Sequence, residues 1–343
     1  MKAPSTYRIS FLILFIALVI SVLVNISLGS VEIPFSDTFD AILGGTLSNA
    51  SWHYIIWDYR IPKALTAILA GAGLSLSGLL MQTLFRNPLA GPFVLGISSG
   101  ASLGAALLIM GASLFSGFST FLLAHNISLA IAASIGSFAV LLLIMMVANR
   151  VKDTMALLII GLMFGSITTA VVSVLSYFTT SEKLQQYVYW SFGSLGNLSW
   201  AQLALLASIV GLGVVFSVFA IKGLNGLLLG ENYAKSLGIH LKKLRYLVII
   251  VTGLLAGSIT AFAGPIAFIG LAVPHLTRQI FDTTDHKILV PAVLIYGAIL
   301  MLLCDTLAQL PNSASVLPIN AVTSIIGAPV VIWLLVRKKK MLF

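Results

Sequence analysis

The chain has 343 residues, of which 59% are hydrophobic and only 8% charged, with a formal net charge of +9. A mean hydropathy of +1.08 excludes a soluble globular domain, which needs a far larger polar fraction to cover its surface. In so apolar a chain the basic excess reads as a topology signal of membrane loops rather than a nucleic-acid footprint.

A bilayer core takes about 20 apolar residues per helix. The apolar runs predict an all-α, polytopic membrane protein with about ten transmembrane helices, forming one transmembrane domain over residues 1–343. The first span runs from Ile9 to Leu28; Lys2 and Arg8 precede it, but it is longer than a signal-peptide core and lacks a clear A-x-A site, so it reads as a retained helix. The second runs from Pro62 to Leu84, the third from Phe93 to Gly111, the fourth from Phe121 to Ala148 and the fifth from Thr154 to Phe178. Gly96, Gly100 and Gly104 recur every fourth residue in the third, and Gly161/Gly165 and Gly253/Gly257 repeat the spacing, which lets helix backbones approach closely. The sixth span runs from Ala201 to Ile221 and the seventh from Tyr246 to Ala263. Only Gly264-Pro265 separates it from the eighth, Pro265 to Phe281, which predicts a hairpin with a short or broken second arm. The ninth, Ile288 to Leu310, holds the single cysteine, Cys304, read as a small core residue, and the tenth runs from Ile319 to Val336.

Lys and Arg sort these loops into two sets. With a cytoplasmic N-terminus, 16 of the 19 lie on the inner side, leaving Arg60, Lys63 and Lys183 outside. This asymmetry predicts cytoplasmic termini and a cytoplasmic segment, residues 222–243, between the sixth and seventh spans.

Several chemistries have no support. Asp305 is the one carboxylate well inside a predicted span, and it is expected to pair with a backbone or hydroxyl donor. A charge at mid-bilayer costs at least about 2.5 kcal/mol, so an ion-coupled carrier would show more such residues as its ion path. There is no G-x-x-x-x-G-K-[ST] loop to bind nucleotide and no H-E-x-x-H zinc signature. The five histidines are scattered, and His275 reads as a satisfied polar group rather than a metal ligand. An enzyme would need a nucleophile, a metal cluster or an acid/base pair, so no catalytic residue and no metal site is assigned.

The stretch LNGLLLGENYAKSLGI, Leu224 to Ile239, is too polar to cross a membrane. Gly226, Gly230 and Gly238 punctuate it, leaving a short helix near Glu231 to Leu237 with Gly238 suited to the position after its end. Glu231 and Lys235 are spaced for a favourable pair worth about 0.2 to 0.5 kcal/mol. So short a helix is unstable alone and must pack on its own bundle or on a partner.

At this point the residues resemble a known family. RIPK at Arg60 to Lys63, GLLMQTLFRNPLAGPFVLGISSGA at Gly78 to Ala101, VYWSFGSLGNLSW at Val188 to Trp200, the 224–239 stretch, GPIAFIGLAVPHLTR at Gly264 to Arg278 and IIGAPVVIWLL at Ile325 to Leu335 stand in order along the chain. Together they resemble the membrane-spanning subunits of ATP-binding-cassette importers for iron-siderophore complexes, haem and cobalamin. The resemblance implies a non-enzymatic permease of a bacterial inner membrane, working as a dimer with an identical or homologous second permease. Two ATP-binding subunits would carry ATP and Mg, with no cofactor on this chain, and a substrate-binding protein would deliver a metal chelate, ferric siderophore first and haem or cobalamin as alternatives. It implies that residues 222–243 hold a coupling helix in which Leu227, Gly230, Glu231, Ala234, Leu237 and Gly238 meet the ATPase. It implies that Arg60 and Lys63 dock the binding protein, with Lys where Arg is common; that Asp153 and Thr154 form a cytoplasmic gate; and that the fifth and tenth spans line the pathway. Gln309 and Val316 stand where the family often has arginine and glutamate, which points to an altered docking surface. The alternative class is a channel or ion-coupled secondary transporter.

Overall fold

The computed structural model describes residues 4–29, 31, 33–45, 49–111, 126–151, 154–309 and 316–336. Among them, fourteen α-helices follow one another. They are α1 (Pro4–Ser27), α2 (Phe35–Leu43), α3 (Ala50–Tyr54), α4 (Ile61–Phe85) and α5 (Ile97–Ile109), then α6 (Asn126–Arg150), α7 (Thr154–Phe178), α8 (Ser181–Ser191) and α9 (Trp200–Leu228). The chain continues through α10 (Glu231–Ser236), α11 (Leu241–Ala263), α12 (Ile269–Phe281), α13 (His286–Ala308) and α14 (Ile319–Val336). Apart from an isolated bridge between Gln309 and Val316, the described residues form no β-structure.

The helices are layered by burial. In their most apolar stretches, 78% of the rod containing α4 is buried, with 67% of α11 and 61% of α13. Those of α1, α6, α7 and α9 bury only 22–33%. A helix apolar on every face belongs inside a bundle or in lipid, and the three central helices take the first place while the outer four present Leu, Ile, Val and Phe outward. Close backbone contact makes the centre dense. A Cβ on Gly78 of α4 would lie 1.8 Å from the carbonyl oxygen of Gly270 in α12, so nothing larger than glycine fits there. Gly100 of α5 meets Gly136 of α6 in the same way, where a Cβ would come 2.5 Å from the carbonyl oxygen.

Seven of the described helices are long and apolar enough to cross a membrane, and Ile97–Ile109 and Ile319–Trp333 are shorter apolar helices. Two of the ten expected spans are broken. The third divides into a 3-10 turn at Pro92–Leu95 and α5, with Gly96 between them at φ 71°. The eighth is reduced to the 13 residues of α12, preceded by Phe268 at φ 66°. Thirteen residues span about 20 Å at 1.5 Å each, short of a bilayer core of about 30 Å. The Gly264-Pro265 hairpin is present, with Gly264 ending α11 at φ 76°. The second span is preceded by α3 and a π-helical turn, Ile55–Arg60, whose wider winding leaves Ile56 and Arg60 on the buried side.

The basic residues divide between the two ends of the bundle. Lys63 and Tyr189 line one cavity, which puts α8, the helix of Lys183, at the Arg60 and Lys63 end. At the opposite end lie the 224–239 segment and Lys287, joined through Asn225 and Asp285, together with Arg278, whose guanidinium donates to Gln82 near the end of α4. Arg245 donates there to the Val151 carbonyl, and Tyr7 near the start of α1 stacks on Phe281.

Candidate functional site

The handle between α9 and α11 is anchored from below. Helix α9 runs seven residues beyond the expected end at Ile221, so Leu224 and Leu227 stay in helical register and are buried at 0% and 3% exposure. Gly230, at φ 110°, turns the chain into α10. Gly238, at φ 76°, closes it: its amide donates to the Lys235 carbonyl at 2.9 Å and that of Ile239 to Ala234 at 3.0 Å, the paired bonds of a Schellman motif. Ala234 is fully buried, and Ile239 fills the space over Gly226, where a Cβ would sit 2.2 Å from its Cδ1.

This arrangement splits the six residues expected at the ATPase contact. Glu231, Leu237 and Gly238 are exposed, Gly230 is half-buried, and Leu227 and Ala234 face inward as the foundation of the handle. Two exposed apolar side chains were missed: Leu229 at 65% and Tyr233 at 53%, beside Leu237 at 54%. Their spacing of four residues was the available signal. Three large apolar groups held outward where α9 ends and α10 follows form a surface suited to a protein groove.

At the opposite end, Arg60 and Lys63 are turned inward, with 5% and 4% exposure. The Arg60 guanidinium donates to the carbonyls of Ile26 and Ser27, both at 2.7 Å, and to that of Val31. It thereby satisfies the carbonyls left free where α1 ends. Lys63 Nζ lies 3.1 Å from Asp305 Oδ1. The other carboxylate oxygen accepts from Asn25 Nδ2 at 2.9 Å and Gln309 Nε2 at 2.8 Å. The expected backbone or hydroxyl partner of Asp305 is therefore corrected to an ammonium and two carboxamides. The first turn of α4 and the last of α13 meet at one depth, and a charge so buried requires an opposite charge. Lys63 and Asp305 share the wall of a cavity of about 330 Å³ with Tyr59, Tyr189 and Phe192. Gln309 and Val316, the two departures in the sequence, face each other across the isolated bridge.

Other expected positions are simpler. His275 Nε2 lies 2.9 Å from the Pro88 carbonyl, and Arg86, at φ 48°, caps α4. Asp153 lies outside the described residues, and Thr154 is the first residue of α7. Cys304 is buried.

These features can be set against known proteins. Residues 17–337 match the model of the FecCD transport family. The vitamin B12 import system permease protein BtuC of Salmonella typhi is 37% identical over 300 residues, covering 87% of this chain and 89% of the relative. The BtuC protein of Klebsiella pneumoniae is 36% identical over 323 residues, covering 94% and 92%. A solved structure of a transporter assigned to the metal-chelate ABC type, in an inward-facing conformation, superposes with a TM-score of 0.81 at 32% identity over 95% of this chain and 98% of that one. PsaBC from Streptococcus pneumoniae, at 14% identity and a TM-score of 0.54, shares the fold alone. The chain belongs to the FecCD transport family and is a multi-pass inner-membrane permease of the ABC importer type.

Proposed function

We propose that this permease forms one half of the translocation pathway of an ATP-driven importer for a bulky metal chelate. The observation that carries the reading is the handle, whose exposed Leu229, Tyr233 and Leu237 stand on a foundation of the buried Leu227 and Ala234 and the half-buried Ile239. A separate ATP-binding subunit would seat on that surface, with Glu231 and Gly238 at its edge, and its nucleotide-driven movement would be passed to the bundle as a rigid-body change. The domain is the whole chain, with ten membrane segments counting the short α5 and α12, and the termini and the handle on the cytoplasmic side, in keeping with the basic residues at that end. A second permease copy would cover α7 and α14, which leave Ile167, Tyr177, Ile325 and Val336 exposed. The pathway between them would be largely apolar, with Asp153 and Thr154 at its inner gate.

Arg60 and Lys63 serve the docking of a binding protein from beneath, by holding α1, α4 and α13 in register under the outer surface. Lys63 lines the 330 Å³ cavity at that end while its Nζ is buried against Asp305. The relatives named as vitamin B12 permeases make cobalamin the first chelate to test, ahead of the ferric siderophore expected from the commonest use of the family.

The test is purification from the native membrane in mild detergent, with mass spectrometry of co-purifying proteins, followed by reconstitution in liposomes with cyanocobalamin or a ferric siderophore. An ATP-binding subunit at equal stoichiometry, ATP-dependent uptake of one chelate, and loss of uptake in Glu231→Arg are expected. A chain that transports without any ATPase would overturn the reading in favour of a channel or ion-coupled carrier.

A further inference from the structure

We propose that Asn225, at the base of the handle, is a positioning residue that transmits handle displacement into the bundle through His286 and Thr83. The inference rests on the reading of the handle as the ATPase contact. Asn225 is half-buried in the last turn of α9, next to the buried Leu224 and Leu227 that anchor the handle, so a shift of the handle carries it along. Both ends of its carboxamide are engaged. Nδ2 donates to Asp285 Oδ1 at 2.6 Å, and Oδ1 accepts from the His286 amide at 2.9 Å and faces His286 Nδ1 at 2.7 Å.

A carbonyl oxygen only accepts, so the imidazole proton sits on Nδ1. In the neutral ring Nε2 is then an acceptor, and it lies 2.9 Å from Thr83 Oγ1 near the end of α4, whose single proton is divided between Nε2 and the Leu79 carbonyl, also at 2.9 Å. His286 and Thr83 are each 1% exposed, which removes water as a substitute partner. Beside Thr83, the Gln82 side chain accepts from Arg278 of α12 at 2.8 Å and donates to the Leu271 carbonyl at 3.2 Å.

Capping alone does not explain this arrangement. Asp285 already caps α13 by accepting from the Lys287 amide at 3.0 Å. The bonds from Asn225 add a tie between α9 and the start of α13. Short directional hydrogen bonds resist both pushing and pulling. The line Asn225–His286–Thr83 therefore couples the handle to two of the three central helices.

The test uses the permease–ATPase complex in lipid nanodiscs on a Cys304→Ser background. Spin labels at the exposed positions Ser236, on the handle, or Lys287, on the first turn of α13, report distances between the two permease copies without nucleotide and with ATP plus vanadate. The native complex is expected to shift at both positions. Asn225→Asp opposes two carboxylates and should keep the handle shift while cutting that at 287 by at least half. Adding Asp285→Asn restores the donor, the acceptors and the net charge, and should restore the shift. Thr83→Val should keep the shift at 287 while cutting by at least half that of a third label at the exposed Arg86, at the end of α4, Thr83→Ser should not, and this pair decides the matter if Asn225→Asp fails to assemble. An unshifted native complex overturns the importer reading itself. A native shift that persists at 287 in Asn225→Asp or at 86 in Thr83→Val, or a double variant that does not recover, overturns the relay alone.

Discussion

Replacing Lys63 by Met removes the ammonium and leaves the Asp305 carboxylate buried. The two side chains are 5% and 3% exposed and 3.1 Å apart. Deleting one partner of a buried pair costs about 3–5 kcal/mol. Asn25 and Gln309 still donate to the carboxylate, and hydrogen bonds to a charged group are worth about 1.5–3 kcal/mol each, which holds the loss near about 3 kcal/mol. An unfolding entropy of about 2.1 cal/mol/K per residue over 343 residues amounts to about 0.7 kcal/mol/K, so the midpoint falls by about 4 °C. Helices that persist in detergent make the true entropy smaller and the fall larger. The assay is built into the chain: Cys304 is its one cysteine and is buried next to Asp305, so a thiol-reactive fluorophore reports unfolding directly. Adding Asp305→Asn removes the stranded charge while keeping an acceptor for Asn25 and Gln309, and should recover more than half of the loss. An unchanged midpoint in Lys63→Met, or a double variant no more stable than the single, would refute a buried interacting pair.

Arg60→Ala strips three donors from the end of α1 and should cost about 2–3 kcal/mol in the same thermal assay; an unchanged midpoint with weakened binding-protein affinity would instead make Arg60 an outward docking charge. Gly78→Ala drives a methyl group into the Gly270 backbone, which has no rotamer to yield, so a loss of about 3 kcal/mol or more should appear as aggregation on size-exclusion chromatography. Tyr233→Asp with Leu237→Asp should leave the melting curve in place and weaken ATPase binding by about 30-fold or more, the scale of a hot spot above about 2 kcal/mol. Ala234→Leu, which overpacks a fully buried position, should lower the melting midpoint instead, by about 1–3 kcal/mol in stability; equal thermal effects of the two changes would argue against the two-sided handle.

Most of the helix order was legible in the sequence, because a membrane span is a local property: its length is set by bilayer thickness and its composition by the cost of polar groups in lipid. Thr154 to Phe178 and Ile319 to Val336 emerge with the expected bounds. The same locality made Gly238 readable as a helix terminator, since αL backbone favours glycine wherever it occurs. The family, too, was recognisable from ordered short stretches.

Tertiary structure decided which side each of these residues faces. Hydropathy places a residue in a span but does not say whether lipid, the bundle or a partner meets it, so α4 and α7 look alike in sequence and end at the centre and the edge. Leu227 and Ala234 read like Leu229 and Tyr233, yet only the last two are left outside, because Gly226 and Gly230 fix how the handle folds back. Lys63 and Asp305 are 242 residues apart, and the Asn225–His286–Thr83 line joins three helices. Such pairings depend on which helices become neighbours, a question no local pattern answers. Burial then turns each meeting into an obligation, since a charge or amide removed from water must find its partner within the fold.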